Sequence, residues 1–299
     1  MSTNVLVDLS NALADAAAKA GASTVLVNAR ERMPASGIVL QPDLVLTADH
    51  TVEREEDINV ILPDGTQLAA RLAGRDPGSD LAVLRLEKPQ ASPAEAAPDE
   101  TRVGQMVLAV GRPSPEGIQA SLGVISAIGG PVHTGSGGTL ERYIRTDTTP
   151  FPGFSGGPLV DSSGRVVGLN TSGFGWGASI TIPASLAWKT ADALVQHGHV
   201  QRGYLGIRSQ AVETPGAAQK ALGRSQPTGL LLVGVESDSP AASGGLMVGD
   251  ILVGIAGQAV LDHEQLMVQL AGVAVGQPVA IELLRGGQPV VLNVAVGER

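Results

Sequence analysis

Twelve short apolar segments, in two runs of six, constrain this chain more than any other feature. The first run is 24–29, 36–40, 44–48, 59–62, 67–74 and 81–86, with Pro63-Asp64-Gly65 as a turn between two of its members. None carries the 3.6-residue period of a helix, and each is bounded by turn residues. That pattern predicts short antiparallel strands closing into a barrel. The stretch 89–100 (PQASPAEAAPDE) is polar, proline-spaced and without period, so it reads as a linker between barrels, with the split near 88–103. The second run is 105–110, 119–128, 143–146, 158–161, 166–171 and 178–182, with 129–138 as a flexible loop inside it. Hydrophobic residues make up 43% of the chain but aromatics only 2%, so the cores must be built from Val, Leu, Ile and Ala. The 39 glycines and 19 prolines supply the turns such a mainly β fold needs.

Helical spacing occurs in few places. Asp8 or Ser10 can cap a helix that runs to Ala20 and stops at Gly21. Residues 184–197 place Leu186, Ala187, Thr190, Ala193 and Leu194 on one face, and Gly198 ends them. After Gln201 a fresh strand-and-turn pattern begins, with one more helix candidate at 262–270. The domain boundary is set near Val200, giving 1–200 and 201–299.

Charge and composition exclude several functions. A formal charge of −9 and the lack of a basic run argue against nucleic acid as a partner. Without cysteine there is no disulfide, thiol nucleophile or thiolate metal site, and the redox compartment stays open. No segment approaches the roughly 18 apolar residues of a membrane span, and residues 1–21 lack the pattern of a signal peptide. His197 and His199 have no third ligand in view, the acidic 53–57 turn lacks alternating ligands, and His133 and His263 read as surface. No metal and no cofactor is expected.

The segment 146–160, TDTTPFPGFSGGPLV, points to chemistry. Gly153, Gly156 and Gly157 permit backbone angles and close approaches closed to other residues, while Pro150, Pro152 and Pro158 stiffen the entry and exit. Ser155 is thereby held at the tip of a rigid loop among backbone N–H groups. Upstream, His50 follows the apolar 46–48 and Asp80 precedes the apolar 81–84. The order His50, Asp80, Ser155 is that of chymotrypsin-type peptidases. In that arrangement His50 takes the proton of Ser155 and Asp80 orients and stabilises the imidazole. The N–H groups of Gly153 and Ser155 form the oxyanion hole, worth about 3–4 kcal/mol per donor.

The same residues resemble the HtrA (high-temperature-requirement) family of trypsin-like serine proteases. The resemblance is carried by TADHTV at 47–52, by DPGSDLAVL at 76–84, by RTDTTPFPGFSGGPL at 145–159 and by GRVVGLN at 164–170. RGYLGI at 202–207, SPAA at 239–242, GGLMVGD at 244–250 and the segment 251–260 resemble the PDZ domain of that family. It implies a chymotrypsin-like double antiparallel β-barrel followed by an α+β PDZ domain. It also implies ATP-independent cleavage of unfolded or misfolded proteins, an extracytoplasmic compartment and a homotrimer formed through the N-terminal part. For the PDZ domain, Tyr204, Leu205 and Gly206 are expected to hold a C-terminal carboxylate. Ile207 is expected to start the receiving strand, with Leu266 and Leu270 lining the side-chain pocket.

In trypsin-like enzymes that cut after Lys or Arg an acid stands six residues before the nucleophile, where this chain has Thr149. With Phe151, Leu169, Asn170 and Thr171 nearby, the specificity pocket is expected to take small or medium apolar side chains. Two positions depart from the family pattern. Asp49 replaces a small residue beside the histidine, and Phe154 replaces the asparagine beside the nucleophile. A cleft plugged by Phe154 or mis-set by Asp49 implies instead a silent holdase or PDZ scaffold, and a narrow regulatory protease is the other alternative.

Overall fold

The computed structural model describes residues 4–134, 139–174, 180–200, 203–271, 273 and 275–298. The chain divides into two compact units, Met1–Val200 and Gln201–Arg299. The fold is mainly β, a chymotrypsin-like pair of barrels and a PDZ domain.

The first unit opens with α1, Val5–Gly21, which begins earlier than Asp8 or Ser10 and has no side-chain cap at Asn4. Propensity carries it instead, through a run rich in alanine. Its inward face, Ala16 and Ala20 with Leu13 and Ala17, packs into a core shared with the barrels. Its first turns leave Val5, Leu6 and Val7 exposed.

The first barrel closes in the order β1-β2-β3-β6-β5-β4. Its strands are β1 Thr24–Asn28, β2 Ala35–Gln41, β3 Leu44–Ala48, β4 Ile58–Ile61, β5 Gln67–Asp76 and β6 Leu81–Leu86. Val25, Val27, Val39, Val45, Val60 and Leu84 fill its interior. Closure matters for such strands, because it removes the unpaired edges an open sheet presents.

The second barrel closes in the order β11-β14-β13-β12-β7-β8. It comprises β7 Met106–Ser114, β8 Gly117–Gly129, β11 Tyr143–Thr146, β12 Pro158–Val160, β13 Val166–Thr171 and β14 Ile180–Pro183. Between β8 and β11 lies a two-stranded ribbon, β9 Val132–His133 with β10 Thr139–Leu140. The loop expected over 129–138 is therefore partly strand, and 135–138 lie outside the described residues. The unit ends in α2, Ala184–His197, whose buried face is Ala184, Ala187, Ala191 and Leu194. Gly198 closes it in the left-handed region (φ 81°), donating to Leu194 O.

The stretch 89–100 is not a free linker. Ala91 and Ala94 donate to Pro42 O and Val39 O on the first barrel, while Ala97 donates to Val166 O and Glu95 accepts from Val166 on the second. It joins the two barrels as expected, and its backbone bonds, which need no side-chain period, lay it against both.

The second unit is an open sheet in the order β16-β17-β18-β20-β21. Its elements are β15 Gly203–Tyr204, β16 Ile207–Glu213, α3 Gly216–Leu222, β17 Thr228–Val235, α4 Pro240–Ser243, β18 Ile251–Ile255, β19 Gln258–Ala259, α5 His263–Ala271, β20 Pro278–Arg285, β21 Gln288–Ala295 and β22 Gly297–Glu298. β15 pairs with β22, which brings the two ends of this unit together. Leu230, Leu232, Leu252, Ile281 and Leu283 form the centre of its core.

Candidate active site

His50 lies in a single 3-10 turn, Asp49–Thr51, directly after β3. Thr51 ties the turn back to the strand by donating to Ala48 O at 2.7 Å. Asp80 sits just before β6 in the left-handed region (φ 55°) and is buried. Because β3 and β6 pair as Ala48↔Leu81, the two residues emerge from adjacent strand ends. The Asp80 carboxylate accepts from His50 N–H at 2.8 Å and contacts His50 Nδ1 at 2.9 and 3.1 Å. From the second barrel, Thr171 Oγ1 donates to the same carboxylate. A Cβ on Gly173 would overlap Asp80 and crowd His50 Nδ1, so this approach requires glycine.

Asp49 is turned to other work. Arg75 Nε donates to its carboxylate at 2.7 Å, and Arg75 Nη2 reaches Val52 O at 3.3 Å. The hydrogen bond to Asp49 leads the effects that raise the Arg75 pKa. The pair thus braces the loop that carries His50.

The nucleophile loop is a tight turn. Phe154 N–H donates to Phe151 O at 3.1 Å, with Pro152 and left-handed Gly153 (φ 84°) between them. Proline at the second position and positive-φ glycine at the third are what a type II turn demands. The Phe154 ring does not plug the cleft. It is 3% exposed and packs with Val107, Ala109, Ile125, Ile144, Leu159 and Val167 in the second barrel. It fills the space over Gly111, where a Cβ would lie 2.6 Å from the ring. Phe151 instead stands 41% exposed, edge-on to Phe154 at 5.4 Å.

Two backbone donors are left over in this turn. Among the described residues, neither Gly153 N–H nor Ser155 N–H has an acceptor in the protein. Ser155 Oγ lies 3.1 Å from Ser172 Oγ, and no hydrogen bond joins it to His50. A cavity of about 370 Å³ is lined by His50, residues 150–155, Asn170, Thr171 and Ser172, together with Arg30, Arg32 and Met33.

Of the residues expected in the specificity pocket, Phe151, Asn170 and Thr171 line this cavity. Thr149 and Leu169 do not. Thr149 is exposed, with its N–H on Ser121 Oγ at 2.8 Å, and Leu169 is fully buried in the core. Strand alternation explains Leu169, since its neighbour Asn170 lies on the opposite face of the strand. Arg30, Arg32, Met33 and Ser172 were not singled out in the sequence; nothing in a polar loop or a lone serine marks them as cleft residues.

In the second unit Leu205, Leu266 and Leu270 share one core cluster with partly buried Ile207. Among the described residues the N–H groups of Leu205 and Gly206 have no acceptor, while their carbonyls are held by Ala241 and Glu236 N–H, each at 2.8 Å. Gly206 is left-handed (φ 77°). β16 begins at Ile207 and is an edge strand of the sheet. His263, at the start of α5, is exposed, and its Nε2 lies 2.9 Å from Ser209 Oγ and 3.0 Å from Ser209 O on β16.

A model of the trypsin-like peptidase domain matches residues 35–169, and a model of the PDZ domain matches 203–296. The solved HtrA-type protease AlgW, determined with a decapeptide, superimposes with a TM-score of 0.79 at 31% identity, over 96% of this chain and 98% of that one. The chain belongs to the HtrA family of serine proteases. A serine endoprotease from Yersinia pestis is similar in structure (TM-score 0.78, 30% identity, 96% and 98% covered). Among curated sequences, a probable periplasmic serine endoprotease, DegP-like, of Brucella suis biovar 1 is 34% identical over 87% of this chain. One of Pseudomonas fulva is 36% identical over 88%. This HtrA-family chain spans about half the length of those curated relatives, 52% and 55%.

Proposed function

We propose that the chain is an ATP-independent serine endopeptidase acting on unfolded or misfolded polypeptides, with a PDZ domain that captures their C-termini. The observation that carries the reading is one cavity bounded by His50, Ser155 and a turn with two backbone donors that are unpaired among the described residues. Ser155 attacks the peptide carbonyl and His50 accepts its proton, then returns it to the leaving amine. Asp80, held by Thr171, keeps Nδ1 protonated and stabilises the imidazolium. The N–H groups of Gly153 and Ser155 receive the oxyanion. His50 and Ser155 are not yet hydrogen-bonded, as is common before substrate binds.

Phe151, Asn170 and Thr171 offer no carboxylate to the cavity, which favours small or medium apolar side chains before the cut bond. Leu205 and Gly206 N–H groups suit a terminal carboxylate, and the free edge of β16 suits an added peptide strand. The relatives' periplasmic names favour an extracytoplasmic site, and the exposed Val5, Leu6 and Val7 suit self-association through α1, the trimer itself resting on the family resemblance. The contact of Ser155 with Ser172 supports a second reading, a resting protease switched on by a PDZ ligand for a narrow set of substrates.

Fluorophosphonate labelling read by intact mass, with Ser155→Ala as control, tests the first point. Rapid labelling of the parent alone is expected. Labelling only after a C-terminal peptide is added supports the regulated reading, and no labelling in either case overturns both. A substrate series should then favour Val over Arg; efficient cleavage after Arg with Val inert would sink the pocket assignment.

A further inference from the structure

Ser36, the second residue of β2, is fully buried, yet its N–H and hydroxyl serve the other barrel. Its N–H donates to Ser155 O at 3.1 Å. Its hydroxyl donates to Gly153 O at 2.7 Å and accepts from Arg112 N–H on β7 at 2.8 Å. Its own carbonyl accepts from Thr47 Oγ1 at 2.7 Å. Gly156 is what lets the barrels meet so closely, since a Cβ there would overlap Ser36 O and Thr47 Oγ1.

The consequence follows from peptide planarity, because fixing a carbonyl fixes the N–H of the same trans unit in the opposite direction. Three consecutive units are fixed around the nucleophile. The Gly153–Phe154 unit is held by Ser36 Oγ at its oxygen and by Phe151 O at its N–H. The Ser155–Gly156 unit is held by Ser36 N–H and by Asn170 O. Between them, Phe154 O is turned onto Gly157 N–H at 2.9 Å, so Ser155 N–H faces the other way and stays unpaired. Ser36 grips the units on both sides of the one that supplies this donor. Among the described residues no other donor reaches Gly153 O, and glycine at 153 leaves that unit free to swing once the grip is lost.

We propose that Ser36 is a positioning residue for acyl transfer, holding the oxyanion turn of the second barrel from the first. Arg112 supports it: its buried guanidinium donates to Thr24 O at 2.8 Å and Gly21 O at 3.1 Å, which ties β7 to the start of β1 and the end of α1. The inference rests on the reading of Ser155 as nucleophile, and the experiment separates the two.

Ser36→Ala removes the hydroxyl. Ser36→Cys fills the same space with a weak donor, which guards against a cavity effect, and Ser36→Thr retains the hydroxyl. The full chain is assayed for thermal midpoint, kcat, KM, fluorophosphonate labelling rate and affinity for a peptide boronic acid, whose tetrahedral adduct places an oxygen in the oxyanion site. In the Ala and Cys variants kcat, labelling rate and boronate affinity should fall together by roughly tenfold to a hundredfold, with KM unchanged. Thr should recover most of the loss. Equal kcat and boronate affinity in a folded Cys variant, or losses that only follow the folded fraction, overturn the inference. A parent chain that never labels overturns the reading of Ser155 itself.

Discussion

Among the described residues, the cleft of the protease unit and the β15–β16 corner of the PDZ unit each present two backbone N–H groups without acceptors, Gly153 with Ser155 and Leu205 with Gly206. In both, a left-handed glycine turns the chain (φ 84° and 77°) and neighbouring carbonyls are tied down. On the proposed reading both receive a negatively charged oxygen. They differ in what holds them. The first is gripped by a buried serine from a separate barrel, the second by two backbone bonds within its own unit. The proposed ligands differ in the same sense: an oxyanion that exists only in passing rewards a rigid receptor, whereas a carboxylate that arrives already charged can be met by a looser one.

The largest effect that separates the two sites is expected at Asp80. Asp80→Asn keeps the shape but lets the amide favour the wrong imidazole tautomer, so kcat should fall by about 10⁴. Affinity for a C-terminal peptide should not change. A variant that retains a tenth of the parent's kcat would remove Asp80 from the catalytic set.

A paired substitution then compares the receptors directly. At Gly153 a Cβ would lie 2.6 Å from Pro113 and 3.0 Å from Pro34 O, in addition to the cost of positive φ. Gly153→Ala should lower kcat by about 10²–10³, the loss of one oxyanion donor. At Gly206 the same change meets the Ser239 side chain. Gly206→Ala should weaken peptide binding about tenfold, the order of one left-handed residue's strain, and leave kcat on a short peptide unchanged. Titration of a labelled C-terminal peptide beside kcat for both variants checks the pair. If each substitution disturbs both readouts equally, the two receptors are not independent.

How much of this was legible in the sequence follows the same division. His50 and Asp80 declare themselves because their chemistry is in the side chain and their place is at the end of an apolar run. The oxyanion turn was legible only as a glycine and proline pattern. Ser36 was not legible at all: in A-S-G-I-V-L it reads as one more strand residue, and its role depends on which loop of the other barrel faces it. Phe154 failed for a related reason. Whether it points into the cleft or into the core is set by the reversal at Gly153, and the residue type is silent on that sign. Thr149 was placed by counting back from Ser155, but its N–H bond to Ser121 turns that stretch toward β8.

The smallest predicted effect concerns pH, and it falls on the second unit. Asp250 lies in the turn before β18. Burial works against its charge, but Arg285 grips both carboxylate oxygens at 2.8 Å and Met247 N–H adds a third bond, so its pKa is held below the usual carboxylate value. A depressed folded pKa means stability that is present above the unfolded pKa and lost as pH falls through the folded one, a window below about pH 4. The same turn is joined to β17, where Leu232 N–H donates to Asp250 O and Gly249 N–H to Leu232 O. Protection factors across residues 244–255 in the full chain, corrected for the intrinsic exchange rate at each pH, should fall below that pH. Asp250→Asn should start from lower protection at neutral pH and show a flatter acid limb, because the group that titrates is gone. An acid limb as steep in the variant as in the parent would place the linkage elsewhere. The expected outcome would mean that acid loosens the β17–β18 junction while the bonds gripping the Ser155 turn, which involve no titrating group, keep their hold.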